Sequence, residues 1–357
     1  MTERNPPDGT EGGRSVRRLK AGVIGCGAIA QHCHLPGYAK EKRVELAAAA
    51  DPSPERRKEA TEKFGAARTY ADWREMLKNE ELDVVSVCTP NFLHAEIVCA
   101  AADQGCHVFC EKPIAITMEQ ADRMKEALDR NGVRMMVGFT HRFFAGNRQA
   151  KELIESGGIG KPFMIRVRFA HGGPAPGWAM SDWFYDQKKA GGGASLDMGI
   201  HAIDLCRFLL APIDKVAACV RTLIKDIEVD DNAVMVFELG TGALGYIEVG
   251  WTSKPGFSGA EVYGTEGSLI IDYRRGLELI SGKASAGADS TTDSRIICRN
   301  VTEGGWDIEV KHLVDCLLDD TPFIAGYADG RAALAVALAA FEASRKRCSV
   351  DLKDYGE

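Results

Sequence analysis

Lys20-Ala21-Gly22-Val23-Ile24-Gly25-Cys26-Gly27-Ala28-Ile29-Ala30 is the stretch that decides the fold. A short apolar run ends in a glycine, and the segment after it opens a helix. Gly25 to Ala30 fits GxGxxA in the context that this pattern needs. Gly25 permits the tight turn, Gly27 lets a pyrophosphate approach the backbone, and Ala30 is small enough for helix and strand to pack closely. The N–H groups at the helix start, around Ala28 and Ile29, then face phosphate oxygens. A lone match is weak, because glycines also mark strand-to-helix turns that bind nothing.

Working outward, a second apolar strand at 44–50 ends in Asp51, twenty-six positions after Gly25. A carboxylate there accepts hydrogen bonds from both hydroxyls of an adenosine ribose and repels a 2′-phosphate, so it favours NAD over NADP. Arg56 and Arg57 lie nearby and soften that preference. A helix N-cap before residues 52–55 is the bland reading of Asp51, and both can hold. Further strands are expected at 83–88, 107–110 and 134–139, with helices at 54–64, 94–104 and after Thr117, which with Gln120 makes a capping box. Continuous apolar strands alternating with helices predict a doubly wound parallel sheet. Thr89-Pro90-Asn91 and Glu111-Lys112-Pro113 follow the third and fourth strands. Ligands of open α/β sheets bind at such carboxyl ends. Gly25, Asp51, Thr89 and Lys112 all occupy them, so Lys112 reads as a functional ammonium rather than a surface partner of Glu111.

After Arg142 the alternation stops. Strands are expected at 163–169, 216–224, 233–238, 243–252, 260–263 and 268–272, joined by short connections that suggest a largely antiparallel sheet. A polar loop is expected at 281–293, and helices at 195–210, 308–318 and 330–345. The stretch Gly191 to Asp204 carries Asp197 and His201. Four positions apart, they are expected on one helix face. A histidine takes a hydroxyl proton near neutral pH, and a carboxylate binds that hydroxyl or orients the imidazole. A polar helix face with a satisfied histidine is the plainer alternative. Trp178, Trp183, Phe184 and Tyr185 offer faces to a sugar ring or serve as core.

The chain has 357 residues, which suits two domains. Hydrophobic residues make up 45% and charged residues 27%, both ordinary for a globular protein. A formal net charge of -7 argues against nucleic acid as a partner. No apolar run is long enough to span a bilayer. Residues 1–18 read as a disordered tail, residues 19–141 as the dinucleotide domain and 142–357 as a substrate-binding and oligomerisation domain. Arg17-Arg18 is not read as an export signal, because the apolar run after it serves as a buried strand. The 11 cysteines contain no CxxC pair and fit a reducing compartment, the cytoplasm. In His32-Cys33-His34 the two histidines point to different sides of a helix, so no metal site is expected.

Together these motifs resemble the glucose–fructose oxidoreductase / inositol dehydrogenase / rhizopine-catabolism (Gfo/Idh/MocA) family, over almost the whole chain from Leu19 to Leu352. The signposts are GxGxxA, Thr89-Pro90-Asn91-Phe92-Leu93-His94, Glu111-Lys112-Pro113, the Asp197, His201 and Asp204 stretch, and a closing helix at Gly330-Arg331-Ala332-Ala333. The resemblance implies a Rossmann domain followed by an α+β domain with a large, mostly antiparallel open sheet that packs against other subunits, as a homodimer or homotetramer. It implies Lys112, Asp197 and His201 as catalytic residues, and cofactor contacts from Gly25, Gly27, Ala28, Ile29, Asp51, Thr89, Pro90, Asn91, His94, Glu111 and Lys112. The implied activity is NAD-dependent oxidation of a secondary hydroxyl of a sugar, sugar derivative or cyclitol, or reduction of the ketone. Two other readings stay open: an NAD-binding regulator on the same fold, and a reductase of a non-carbohydrate.

Overall fold

The computed structural model describes residues 18–174, 179, 181–281 and 293–356. The expected tail up to residue 17, Trp178 and most of the expected loop at 281–293 lie outside the described residues.

Six strands, β1 (Leu19–Ile24), β2 (Val44–Ala50), β3 (Arg68–Tyr70), β4 (Val84–Val87), β5 (His107–Cys110) and β6 (Met135–Val137), form the first sheet. Their order is β3-β2-β1-β4-β5-β6, and every pairing is parallel. Helices α1 (Leu35–Lys40), α2 (Pro54–Phe64), α3 (Trp73–Asn79), α4 (His94–Asp103) and α5 (Met118–Asn131) connect them. The central strands are largely apolar because both faces are covered: Val85 and Val87 join one core, and their neighbour Val84 joins another with Ala21 and Val23. The helix after Gly27 contains a π turn, Ala30–His34, before α1. Pro36 sits just beyond, with no N–H to donate, and the wider turn accommodates it. β3 and α3 were not expected. β3 is a polar three-residue edge strand, too short for a period to show.

The second half supplies α6 (Ala145–Glu155), β7 (Pro162–Ala170), α7 (Gln187–Ala190), α8 (Ala194–Asp197), α9 (Gly199–Leu209), β8 (Ile213–Arg221), β9 (Asn232–Leu239), β10 (Leu244–Gly250), β11 (Phe257–Gly264), β12 (Gly267–Asp272), β13 (Gly276–Ser281), β14 (Asp293–Cys298), α10 (Trp306–Leu318), α11 (Tyr327–Lys346) and β15 (Val350–Asp351). Its nine strands run β14-β13-β12-β11-β7-β10-β9-β8-β15. Only β7 and β10 pair in parallel; the other pairings are antiparallel. One correction concerns 281–293. Ser281 and Asp293 are paired strand ends rather than loop residues. Another concerns 195–210, expected as one helix. It is broken at Met198 into α8 and α9.

A single cut between 141 and 142 is crossed by the end of the chain. The Val137 N–H donates to the Ala325 carbonyl at 3.0 Å, and Met136 bridges Gly326. Val310, Leu313 and Val314 of α10 share a core with Leu35 and Tyr38 of the first half. The C-terminal helices therefore clamp both sheets together.

Candidate active site

At the carboxyl edge of the first sheet, Gly25 has φ +86°, and a Cβ there would lie 2.6 Å from the Cys88 carbonyl oxygen. Only glycine fits so close to the end of β4. A Cβ on Gly27 would meet nothing nearer than Arg56 Nη1 at 4.0 Å, so an open cradle lies above this turn. Gln31 N–H is the first to bond back, to Gly27 O. The amides of Ala28, Ile29 and Ala30 thus lack partners within the helix, which suits the diphosphate of a dinucleotide.

Asp51 is buried at the end of β2. Its Oδ2 accepts the Cys26 N–H at 2.8 Å and its Oδ1 accepts the Ser53 N–H at 2.9 Å. The carboxylate thereby ties the glycine turn to its neighbouring strand, with lone pairs left for ribose hydroxyls. Arg56 Nη1 lies 3.7 Å from Oδ2. The N-cap of α2 is Ser53, not Asp51.

After β4, Thr89 has a buried Oγ1 without a hydrogen-bond partner, and Pro90 precedes a short 3-10 turn. Asn91 Nδ2 donates to the Ala190 carbonyl at 2.8 Å, which joins this edge to the approach of α8. Two expected cofactor contacts, His94 and Glu111, have side chains engaged within the protein. His94 is fully buried, and its ring nitrogens lie 2.8 Å from Pro113 O and 2.8 Å from Thr89 O. It braces two strand ends and presents no free edge to a ligand. Glu111 is turned inward. Its Oε1 meets His34 Nε2 at 2.9 Å, and its carboxylate fills the space beside Gly138. His34 also meets Ser86 Oγ at 2.9 Å, so the histidine of the Cys33 cluster belongs to a buried polar network. Among the described residues no group of three or more His, Cys, Asp or Glu is arranged to hold a metal ion.

Lys112 and Asp197 meet across the two halves. Lys112 Nζ donates to Asp197 Oδ1 at 2.9 Å and to the Asp197 carbonyl at 3.2 Å. Trp251 Nε1 donates to Asp197 Oδ2 at 3.3 Å. Both carboxylate oxygens are therefore engaged, and no hydrogen bond joins Asp197 to His201. Asp197 ends α8 and His201 lies in the first turn of α9, on either side of the break at Met198. His201 is instead aligned by stacking. Its ring lies 4.4 Å from that of His141, with an interplanar angle of 8°. Its Nδ1 is buried and has no hydrogen-bond partner. Burial, then the Lys112 ammonium and His141, hold the His201 imidazole well below its ordinary value of 6.5. It is neutral near neutral pH and free to accept a proton.

Sequence reading missed the rest of the site. His141 follows β6 and is pushed down to about 3 by burial, with Lys112 adding to it. His171 follows β7 and takes the Gly173 N–H on Nδ1 at 2.8 Å. Burial lowers it, and both Asp197 and Lys112 act on it. Asp230, between β8 and β9, accepts the amides of Gly193 and Ser195, each at 2.7 Å. For His171 the position directly after a strand was the available signal, since it had already singled out Lys112; His141 and Asp230 carry no such local mark. Trp183 and Phe184 stack at 3.8 Å, and Tyr185 meets Trp251 edge-on at 6.0 Å.

The model of an oxidoreductase family with an NAD-binding Rossmann fold, GFO_IDH_MocA, matches residues 19–139, and that of the GFO/IDH/MocA C-terminal domain matches residues 147–270. Levoglucosan dehydrogenase of Pseudarthrobacter phenanthrenivorans is 30% identical over 307 residues, covering 77% of this chain and 78% of the relative. The chain belongs to the Gfo/Idh/MocA family. Myo-inositol 2-dehydrogenase of Thermotoga maritima is 32% identical over 264 residues, covering 72% of this chain and 76% of that one. A solved levoglucosan dehydrogenase in complex with NADH and levoglucosan superposes with a TM-score of 0.84 at 26% identity, over 94% of this chain and 100% of that chain. This Gfo/Idh/MocA member is an NAD-dependent oxidoreductase, with its Rossmann sheet first and its mixed, mostly antiparallel sheet second.

Proposed function

We propose that this chain oxidises a secondary hydroxyl of a sugar, sugar derivative or cyclitol, or reduces the corresponding ketone, with Lys112, Asp197 and His201 as its catalytic residues. The observation that carries the reading is the Lys112–Asp197 pair at 2.9 Å, beside a neutral imidazole. The relatives named for levoglucosan and myo-inositol support a polyhydroxylated substrate.

NAD, when bound, supplies the hydride acceptor; Gly25, Gly27, Ala28, Ile29 and Asp51 would hold its diphosphate and ribose. Thr89, Pro90 and Asn91 line the next strand end. Lys112 has three N–H donors and spends two on Asp197. The third remains for the substrate oxygen. Asp197 keeps the ammonium aimed. His201 takes the hydroxyl proton, and Lys112 stabilises the negative charge that develops on that oxygen. Incubation with NAD and a panel of cyclitols, free sugars, glycosides and sugar nucleotides tests this through reduced-cofactor absorbance. Turnover is expected on at least one polyol. Tight NAD binding with no turnover across the panel would favour a regulator.

The second sheet supports a homo-oligomer, a dimer or tetramer. Val234 and Val236 of β9 and Leu244 and Tyr246 of β10 are exposed apolar residues. Val236 and Tyr246 are direct cross-strand partners, so these side chains share the uncovered face. Such a patch is rarely left in water. A monomeric mass by light scattering at micromolar concentration would contradict the assignment. All 11 cysteines are free thiols, which supports the cytoplasm as the compartment.

A further inference from the structure

We infer that His141 is a second substrate-reading imidazole, which donates a hydrogen bond to the oxygen next to the reacting hydroxyl and so selects a vicinal pair of hydroxyls. The inference rests on the proposed role of His201.

His141 is the middle ring of a three-ring stack. Phe144 lies on one neighbouring contact at 4.9 Å and 25°, and His201 on another at 4.4 Å and 8°. Phe169 and Tyr273 meet it edge-on at 4.8 Å and 5.4 Å. A ring held on this many sides has one orientation.

Its tautomer is fixed as well. Asn147 Nδ2 donates to the His141 carbonyl at 2.8 Å and to Tyr273 Oη at 2.9 Å. A carbonyl only accepts, so the amide nitrogen must face it. Tyr273 Oη lies 3.2 Å from His141 Nδ1, and in the inferred arrangement the phenol donates to that nitrogen, which satisfies its single donor while its oxygen accepts from Asn147. Burial keeps that phenol protonated by raising it above its ordinary range. The neutral His141 ring then carries its hydrogen on Nε2.

The four ring nitrogens of the pair divide cleanly. His141 Nδ1 holds Tyr273, and His201 Nδ1 is buried. Among the described residues the two Nε2 atoms have no hydrogen-bond partner, and neither is a buried unpartnered atom. The two rings are stacked on each other, and the Lys112 ammonium acts on both; the reacting hydroxyl is inferred to lie beside this pair. Two parallel imidazoles there have complementary duties. His201 accepts a proton and His141 can only donate. Adjacent oxygens of a cyclic diol match this acceptor–donor pair, whereas an isolated hydroxyl leaves the His141 N–H unused.

The test compares kcat/KM for the best vicinal-diol substrate and for its analogue lacking the neighbouring hydroxyl. Wild type is expected to prefer the diol by roughly tenfold or more, because a site built to hydrogen-bond an oxygen rejects the analogue without it. His141→Phe keeps a stacked ring and removes the donor; it should lose most of that preference. Tyr273→Phe releases the tautomer and should lose part of it with the ring unchanged. An undiminished preference in His141→Phe, or an equal loss on both substrates, overturns the inference and makes His141 a prop for His201. If His141→Phe fails to fold, an unchanged preference in Tyr273→Phe overturns it instead. Failure of wild type to oxidise any polyol is a different result: it removes the role of His201 and the inference with it.

Discussion

Asp197 receives one hydrogen bond from an ammonium and one from an indole, so its charge is spent on holding Lys112 rather than on orienting His201. In the proposed mechanism His201 acts as a base without a carboxylate behind it. Replacing it with Ala should lower kcat by roughly 10²–10⁴-fold, the span of lost acid–base catalysis. NAD affinity should hardly move, because the cofactor cradle lies at Gly27 and Asp51. Near-normal turnover in this variant would make the ring structural. The pH profile follows from the same contacts. Only the neutral imidazole accepts a proton, and burial and Lys112 hold His201 well below 6.5. Activity should accordingly persist through mildly acidic pH and fall only below the ordinary histidine range; an acidic limb centred above 6.5 would contradict that. At the other end of the site, Asp51→Ala should weaken NAD binding by roughly 1–3 kcal/mol, the scale of leaving hydrogen-bonding groups unpaired. It should also lower Tm, since the Cys26 amide loses its acceptor. Tighter binding of NADP than of NAD to the wild-type chain would show that the carboxylate does not face the ribose.

The short helix α8 carries Asp197, and its start is pinned from outside. Asp230 takes the Gly193 and Ser195 amides on its carboxylate and the Ala194 amide on its carbonyl at 2.9 Å. The approach is so close that a Cβ on Gly193 would lie 1.8 Å from Asp230 O. Removing this carboxylate frees the Gly193 and Ser195 amides just upstream of Asp197, while the backbone bond to Ala194 remains. Asp230→Ala should cut kcat by roughly tenfold or more, given charge-assisted bonds of about 1.5–3 kcal/mol each, while NAD titration stays near wild type. Unchanged kcat would mean that α8 is held by its packing alone. None of this was visible in the sequence, for a definite reason. Asp230 is distant in the chain from what it holds, and His141 and His201 meet only because a strand end and α9 converge. What could be read was local. The strands of the first sheet announce themselves because burial on both faces makes them uniformly apolar, and Thr117 does accept the Gln120 N–H at 3.2 Å. Even there the tertiary fold adjusts the detail: Gln120 Oε1 takes the Ile116 amide, one residue before the cap. Edge strands were harder. β14 is mostly exposed, so it has no buried face to impose an alternation.

At the scale of the whole molecule, α11 packs on both sheets while α10 is clamped onto the first half, and that clamp contains a buried acid. Glu309 is fully buried, and the Cys33 thiol donates to its Oε2 at 3.2 Å. Burial, reinforced by the charge of Glu111, pushes its carboxyl up from 4.5 to about 8. A raised carboxyl makes the folded chain hold a proton that the unfolded chain has released. Its contribution to stability is fully present below 4.5 and is lost as pH rises through 8. The buried histidines His94, His141 and His201 work in the opposite direction, because their folded values are lowered. Stability from keeping them neutral is lost as pH falls below 6.5 and is constant above it. Asp204, pushed up to about 6 by burial, has completed most of its change by then. Between pH 6.5 and 8 the Glu309 carboxyl therefore dominates, with a slope of up to about 1.4 kcal/mol per pH unit. Wild-type Tm should fall by a few degrees across that interval. Glu309→Gln offers Cys33 the same acceptor without an ionisable group, so its Tm should stay flat there and exceed wild type at pH 8. Thermal melts of both chains in matched ionic strength measure this. A wild-type Tm that does not fall between pH 6.5 and 8 would mean that Glu309 ionises without penalty, and that the α10 clamp is wetter than its packing implies.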